Sequence, residues 1–337
     1  MKILISAYSF FPSIGGTEEI TDLVARGFSG RGHAVMIVTM TASPTEVEAP
    51  YKILRQPSLL TLFGALKWCD VYLQEHLSIR LGWPALLVRR PLVIALQTYL
   101  GSGRDWRSRL RKLALSRANA VIACSRALAE QVYPGARVIH NAYRATEFRC
   151  LDDGERPIDL VFLGRLIGDK GAHVLIDALG HLRRRGSTPS LEIIGGGPEE
   201  SALQEQCDAL GIASQVEFKG FLRGTALVQA LNRCRIMVVP STWAEPFGIV
   251  ALEGIACGCA VIAADVGGLP EAVGPCGTTF PAGDSAALAD LIADLLADEV
   301  RLSTLRSGAE AHLAKHHMGA IADEYLEVLS LAYNRSR

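Results

Sequence analysis

The sequence predicts an α/β protein made of two doubly wound, parallel-sheet domains. Short apolar runs of strand length alternate with helix-period segments along the 337 residues. The alternation breaks at a polar stretch near residue 150 and then starts again. The charge divides at the same place: residues 1–150 hold 19 Lys/Arg and 10 Asp/Glu, and residues 151–337 hold 15 and 25. The expected domains are 1–150 and 151–320, with 321–337 as a final helix that packs back on the first domain.

In the first half, residues 2–7 read as a buried strand, followed by the Gly15-Gly16 loop. Ile20, Leu23, Val24, Gly27 and Phe28 then fall on one helical face, which Gly30 and Gly32 end. Further strands are expected at 34–39, 71–73, 92–96, 121–123 and 138–139. The linker contains Asp152, Asp153, Gly154 and Pro157. Beyond it, strands are expected at 158–163, 191–194, 216–218, 236–239, 261–263 and 278–280. Helices fit 172–184, 199–210, 225–234, 247–257 and 286–307. In such folds a ligand lies at the carboxyl ends of the strands, and a pocket between two units is a common site.

Composition narrows the function. Eight cysteines are scattered without a C-x-x-C pair, and Cys257 and Cys259 are too close for a usual zinc pair, so reduced thiols are expected. The short apolar N-terminus lacks the long core and cleavage site of a signal peptide, and no apolar run is long enough to span a bilayer. A cytoplasmic protein is expected, with peripheral contact at the inner face of a membrane as a variant. The basic half suits an anionic acceptor, a lipid phosphate or a membrane surface; attraction between two oppositely charged domains is the alternative. Arg104, Arg107, Arg109, Arg111, Lys112 and Arg117, with Trp106, Leu110 and Leu113 among them, form a basic helix fit for an anionic membrane or simply a solvated face. No nucleic-acid-binding module is present. His312 and His316, lacking a third ligand nearby, read as helix-surface histidines rather than a metal pair.

Two constellations carry chemistry. The strand at 158–163 runs into Gly164-Arg165-Leu166-Ile167-Gly168-Asp169-Lys170-Gly171. Glycines let backbone amides approach a ligand, Arg offers a planar fork for phosphate oxygens, and Lys acts as a point charge. That suits a diphosphate; a loop with ordinary surface charges is the plainer reading. After the strand at 236–239 comes Thr242-Trp243-Ala244-Glu245-Pro246-Phe247-Gly248-Ile249-Val250-Ala251-Leu252-Glu253. A helix beginning at Pro246 would aim the amides of Phe247, Gly248 and Ile249 at a phosphate. Glu245 would precede it and Glu253 lie about two turns inside. Carboxylates accept hydrogen bonds from vicinal hydroxyls, so the pair suits a sugar and a ribose. Glu245 alternatively reads as a helix-start acid. Glu253 alternatively reads as a solvated helix residue, though its stretch is apolar.

Gly195-Gly196-Gly197-Pro198-Glu199-Glu200 tempts a dinucleotide reading, with Glu217 20 residues beyond Gly197. Glu200 stands where the third glycine of G-x-G-x-x-G belongs, so the fingerprint fails and a tight turn is the simpler account. The Gly15-Gly16-Thr17-Glu18 loop could admit a phosphate or an acceptor, or be a bare turn. No D-x-D occurs, so no metal-bridged diphosphate is indicated.

With these residues in hand, the chain resembles the GT4 family of GT-B glycosyltransferases over nearly its whole length. The resemblance rests on the Gly15-Gly16 loop, Arg31 to Val35, Val121 to Ser125, Ile139-His140-Asn141 and Gly164-Arg165 to Lys170-Gly171. It continues through Gly195 to Pro198, the E-x7-E pair Glu245 and Glu253, and Gly267 to Glu271. It implies two Rossmann-like domains facing across a cleft and a retaining transfer of a hexose-type sugar from a UDP- or GDP-linked donor to an acceptor hydroxyl.

By the resemblance, Arg165, Lys170 and Glu245 would be the catalytic residues. Gly15, Gly16, Gly164, Gly196, Gly197, Leu222, Phe247, Gly248, Ile249 and Glu253 would bind the donor. Glu253 would hold the ribose, and the base would sit near Gly196, Gly197 and the Phe221-Leu222-Arg223 loop. Thr17, Gln97, Thr98 and Tyr99 would meet the sugar or acceptor. No metal or other cofactor is implied. The chain departs from the family pattern at Gln97, where a His is usual, and at Ala142 and Arg144, which replace Gly and Asp. An amide can hydrogen-bond a sugar hydroxyl but not transfer a proton, so a non-catalytic nucleotide-sugar-binding relative is the alternative.

Overall fold

A computed structural model describes residues 1–13, 15–43, 48–100, 106–151 and 154–336, without the side chains of Leu86 and Arg107. The chain divides into two units: residues 1–142 with 316–337, and residues 143–315. The crossovers therefore fall eight residues before the expected 150 boundary and five before 320. Asp152 and Asp153 of the expected linker lie outside the described residues.

The first unit holds seven strands: β1 (Lys2–Ala7), β2 (Ala34–Thr39), β3 (Lys52–Arg55), β4 (Val71–Glu75), β5 (Leu92–Leu96), β6 (Ala120–Ala123) and β7 (Arg137–Val138). They form one sheet in the order β3-β2-β1-β4-β5-β6-β7, every pair parallel. All five residues of β4 and of β5 are buried, because helices cover both faces of a parallel sheet. The edge strand β3 was not expected: Lys-Ile-Leu-Arg is too short and too charged at its ends to show a period.

The helix Gly16–Ser29 packs its Ile20, Val24 and Phe28 face inward. The final helix, Met318–Asn334, lies in this unit against it. A Cβ on Gly27 would stand 2.6 Å from that of Ala322, and the Phe28 and Tyr325 rings lie 6.4 Å apart. Arg31 pairs with Asp323, and Arg137 with Glu327 at 2.6 Å.

The second unit holds β8 (Ile158–Leu163), β9 (Leu191–Ile194), β10 (Val216–Gly220), β11 (Cys234–Val239), β12 (Ala260–Ala264) and β13 (Gly277–Phe280). The sheet order is β10-β9-β8-β11-β12-β13, again wholly parallel. The strand order reverses between β8 and β11, so the loops leaving these two neighbours flank the topological switch point, where such sheets bind ligands.

Two expected helices differ. The segment 286–307 is two helices, Ser285–Ala297 and Glu299–Ser307, because the Asp298 side chain accepts a bond from the Arg301 amide and starts a new helix. The helix after β11 runs Ile249–Ala256 rather than from Pro246, since Gly248 takes φ 104° and breaks the helical path just before it.

The histidines are also corrected: His312 and His316 are buried, not surface residues. His312 Nε2 lies 2.8 Å from the Ala272 carbonyl. His316 Nδ1 lies 3.2 Å from the Asn141 carbonyl, and its ring stacks on His140 at 5.4 Å. Each ring satisfies a backbone acceptor that burial would otherwise leave unpaired.

Candidate functional site

The site is built at the carboxyl ends of β8, β9, β11 and β12 within the second unit. The loop after β8 folds into a single turn of 3-10 helix, Gly168–Lys170. Gly171 follows at φ 71°, and a Cβ there would stand 1.9 Å from the Pro240 carbonyl oxygen. Only glycine accepts both conditions, and that close approach lays the β8 loop against the one leaving β11. Three further bonds join these loops: the Thr242 and Trp243 amides donate to the Asp169 carbonyl at 3.0 and 3.4 Å, and Thr242 Oγ1 to the Gly168 carbonyl at 3.2 Å.

This stitching brings Lys170 to Glu245. Lys170 Nζ pairs with Glu245 Oε1, which also accepts from Ser241 Oγ at 2.9 Å. Glu245 is held by its backbone as well: its carbonyl accepts from the Gly268 amide at 2.8 Å, in the loop after β12. Arg165 is exposed and has no ion-pair partner among the described residues. The two expected cations thus stand on one loop, one anchored and one reaching into solvent.

The loop after β9 closes the other side. Gly195 takes φ 134°, and a Cβ there would stand 1.8 Å from the Gly164 carbonyl oxygen. The Leu166 amide donates to the Gly196 carbonyl at 3.1 Å. A Cβ on Gly197 would stand 2.3 Å from the Leu166 carbonyl. The Phe221 ring lies over Gly196, where a Cβ would be 2.6 Å from it, although the ring is 72% exposed. Leu222, in the loop after the edge strand β10, lines a separate cavity of roughly 660 Å³ with Glu192 and Lys219, which extends to Gly154, Glu155 and Arg233 at the amino ends of β8 and β11. The structure therefore gathers Gly164, Arg165, Lys170, Gly196, Gly197 and Glu245 around the same strand ends, and leaves Leu222 beyond the edge strand β10.

The later start of the helix changes the expected amide donors. Phe247 and Gly248 precede the helix, and the Phe247 side chain is core, 1% exposed. The first amides of the helix, Ile249 and Val250, lack intrahelical acceptors by geometry and carry the positive end of its dipole. Glu253 is the fifth residue of this helix and is buried, 6% exposed. That removes the solvated-residue reading: a carboxylate inside an apolar segment is there for a partner.

The remaining expected residues belong to the first unit. Gly15 caps the helix Gly16–Ser29, and a Cβ there would stand 2.7 Å from Glu18 Oε2. The buried Glu18 carboxylate, bonded by Ser13 Oγ at 3.2 Å, thus already supplies an anion at this helix start beside Gly15, Gly16 and Thr17. Gln97 is turned inward. Its Nε2 donates to Glu75 Oε2 at 3.2 Å and to Tyr325 Oη at 3.3 Å, and the residue is 7% exposed. Thr98 and Tyr99 follow it, half-buried. Sequence reading missed Glu75, which is fully buried and pushed up to about 7 by that burial. The signal available was a lone acid ending an apolar strand.

Among the described residues no group of His, Cys, Asp or Glu is placed to hold a metal ion, and no helix is long and apolar enough to cross a membrane. Of the basic helix, Trp106–Arg117 is described; Arg104 and the side chain of Arg107 lie outside the described residues.

The chain has recognisable relatives. It is 34% identical to glycogen synthase of Mycobacterium tuberculosis over 191 residues, 53% of this chain and 46% of that protein. It is 37% identical over 160 residues to the GDP-mannose-dependent alpha-(1-6)-phosphatidylinositol monomannoside mannosyltransferase of Mycolicibacterium smegmatis, 45% of this chain and 42% of that one. The match thus spans less than half the length of either relative. Among solved structures, HepE of Anabaena in complex with UDP superposes with a TM-score of 0.82 at 25% identity, covering 98% of this chain and 100% of that one. The family model for glycosyl transferases group 1 matches residues 144–312, which hold the whole site built from the second sheet. With half of its length matched by that model, the chain belongs to the glycosyl transferases group 1 family.

Proposed function

We propose that this chain is a retaining glycosyltransferase that moves a hexose-type sugar from a UDP- or GDP-linked donor to an acceptor hydroxyl. One observation carries the reading: Arg165, Lys170 and the helix start at Ile249 belong to loops at a single switch point, with Glu245 bonded to Lys170. A diphosphate is the ligand this chemistry fits, since two cations and open amides neutralise and bind its oxygens. Phe221 over Gly196 offers an exposed ring beside the glycine turn, suited to a base. Buried Glu253 is suited to the ribose hydroxyls, and Glu245 to the donor sugar. The UDP complex of HepE is consistent with such a donor.

In the proposed reaction the bond between C1 and the diphosphate oxygen breaks while the acceptor oxygen bonds C1 on the same face. The departing phosphate oxygen takes the acceptor's proton. Lys170 and Arg165 stabilise the charge that grows on that phosphate, which is where fixed charges lower a barrier most. No separate base and no metal is needed. The acceptor is proposed to be anionic or lipid-linked, on the strength of the excess of Lys and Arg in residues 1–150.

Thermal-shift measurements with UDP, GDP, ADP and their sugars test the donor class, because a ligand that binds the native state raises its melting temperature. Lys170→Ala and Glu253→Ala should each abolish donor hydrolysis and transfer; full turnover in either contradicts the reading. Gln97 favours a second one, a non-catalytic nucleotide-sugar binder, because its amide is spent on Glu75 and Tyr325 and moves no proton. Donor binding without turnover against a broad acceptor panel selects that alternative.

A further inference from the structure

One face of the first unit is both apolar and basic. Leu60 is 86% exposed, Leu87 68% and Trp106 63%, and Trp83, Leu110 and Leu113 are exposed with them. They lie on the helix Leu59–Trp68, on the turn Trp83–Leu86 with Leu87 directly after it, and on the helix Trp106–Arg117. The Phe63 and Trp83 rings meet edge to face at 6.1 Å. Trp83, Leu110 and Ala114 line one cavity, which joins the turn to the second helix. On that helix Trp106, Leu110 and Leu113 stand at i, i+4 and i+7, one stripe of its surface.

Among the described residues, the exposed charges around these groups have one sign. Lys67, Arg80, Arg89, Arg109, Lys112 and Arg117 are exposed on the same elements and the turns beside them. Among the described residues between 59 and 117 the carboxylates are Asp70, which accepts from the Lys2 amide at 2.7 Å, and Glu75, fully buried. A water-facing surface gains nothing from presenting Leu and Trp, so a patch of this kind marks an interface. Nucleic acid would engage the cations but leave the leucines in water. A second copy of the face would set like charges against each other.

We infer that this face docks on a bilayer containing anionic lipid. The leucines and tryptophans enter the acyl boundary, and the Arg and Lys rim meets the phosphates. The inference goes beyond the sugar-transfer reading and does not depend on it.

Flotation of the full chain with vesicles tests it. One set is phosphatidylcholine alone, the other an equal mixture with phosphatidylglycerol. The chain should float with the mixed vesicles and bind the neutral ones at least about ten-fold more weakly. Leu60→Ser/Leu87→Ser/Leu113→Ser should weaken binding to the mixed vesicles by about ten-fold or more. Arg109→Glu/Lys112→Glu should do the same and remove most of the salt dependence. Circular dichroism and melting temperature, read alongside, should match the parent, since all five residues are exposed. Equal binding to both vesicle sets, or variants that float as the parent does, overturns the inference. So does a parent that is dimeric by ultracentrifugation without vesicles and becomes monomeric in the leucine variant.

Discussion

Lys170 and Glu245 are 75 residues apart in the chain and meet as an ion pair. The carboxylate holds the ammonium in place and, on the proposed reading, would compete for it with an arriving phosphate. Glu245→Gln should therefore leave nucleotide diphosphate affinity unchanged or tighter, while sugar turnover falls by an order of magnitude or so through the lost charge-assisted bond; calorimetry and a turnover assay on one preparation separate the two effects. Glu75 makes a different prediction. Its carboxyl is raised from 4.5 to about 7 by burial, so the neutral form favours the fold. The stability that form contributes is complete below pH 4.5 and is lost as pH rises through about 7. Relative to Glu75→Gln, the parent should lose up to about 3 kcal/mol between pH 4.5 and pH 8 in urea unfolding; a difference independent of pH contradicts this. The sequence showed Lys170 and Glu253 because a cation at a strand end and an acid in an apolar helix are local signals. It could not show that Gln97 is spent internally, since its partners lie 22 and 228 residues away.

At the scale of elements, the site depends on loops pressed together through glycines. Gly195 and Gly171 combine positive φ with approaches of 1.8 and 1.9 Å for an added Cβ against backbone oxygens. Gly195→Ala and Gly171→Ala should each cost at least about 2 kcal/mol in chemical denaturation and weaken nucleotide binding, because the backbone must move to admit the methyl. Gly186→Ala is the contrast: φ is 83° but nothing lies within 4 Å, so it should cost only about 1 kcal/mol for the left-handed backbone and spare binding. Most strands were legible as apolar runs, since both faces of a parallel sheet are covered. Strand β3 was not, with charge at both ends. The helix start at Ile249 escaped because Pro246 is a good first helical residue, and only the φ of Gly248 shows that the turn is not helical.

At the scale of the molecule, two parallel sheets divide the chain, and the charge divides with them. The linker composition signalled that division; its exact crossovers follow from which unit the residues after 142 and after 315 pack in, which no local pattern encodes. In the second unit, the loop after β8 and the helix start at Ile249 are proposed to hold a pyrophosphate. Calorimetric titration of the full chain with UDP and GDP, beside uridine and guanosine, tests this most directly, with Lys170→Ala measured in parallel. One diphosphate should bind more tightly than its nucleoside. Lys170→Ala should weaken the diphosphate by about 10- to 100-fold, the worth of a charged hydrogen bond, and leave the nucleoside unchanged. A variant that binds the diphosphate as well as the parent does would contradict this proposal.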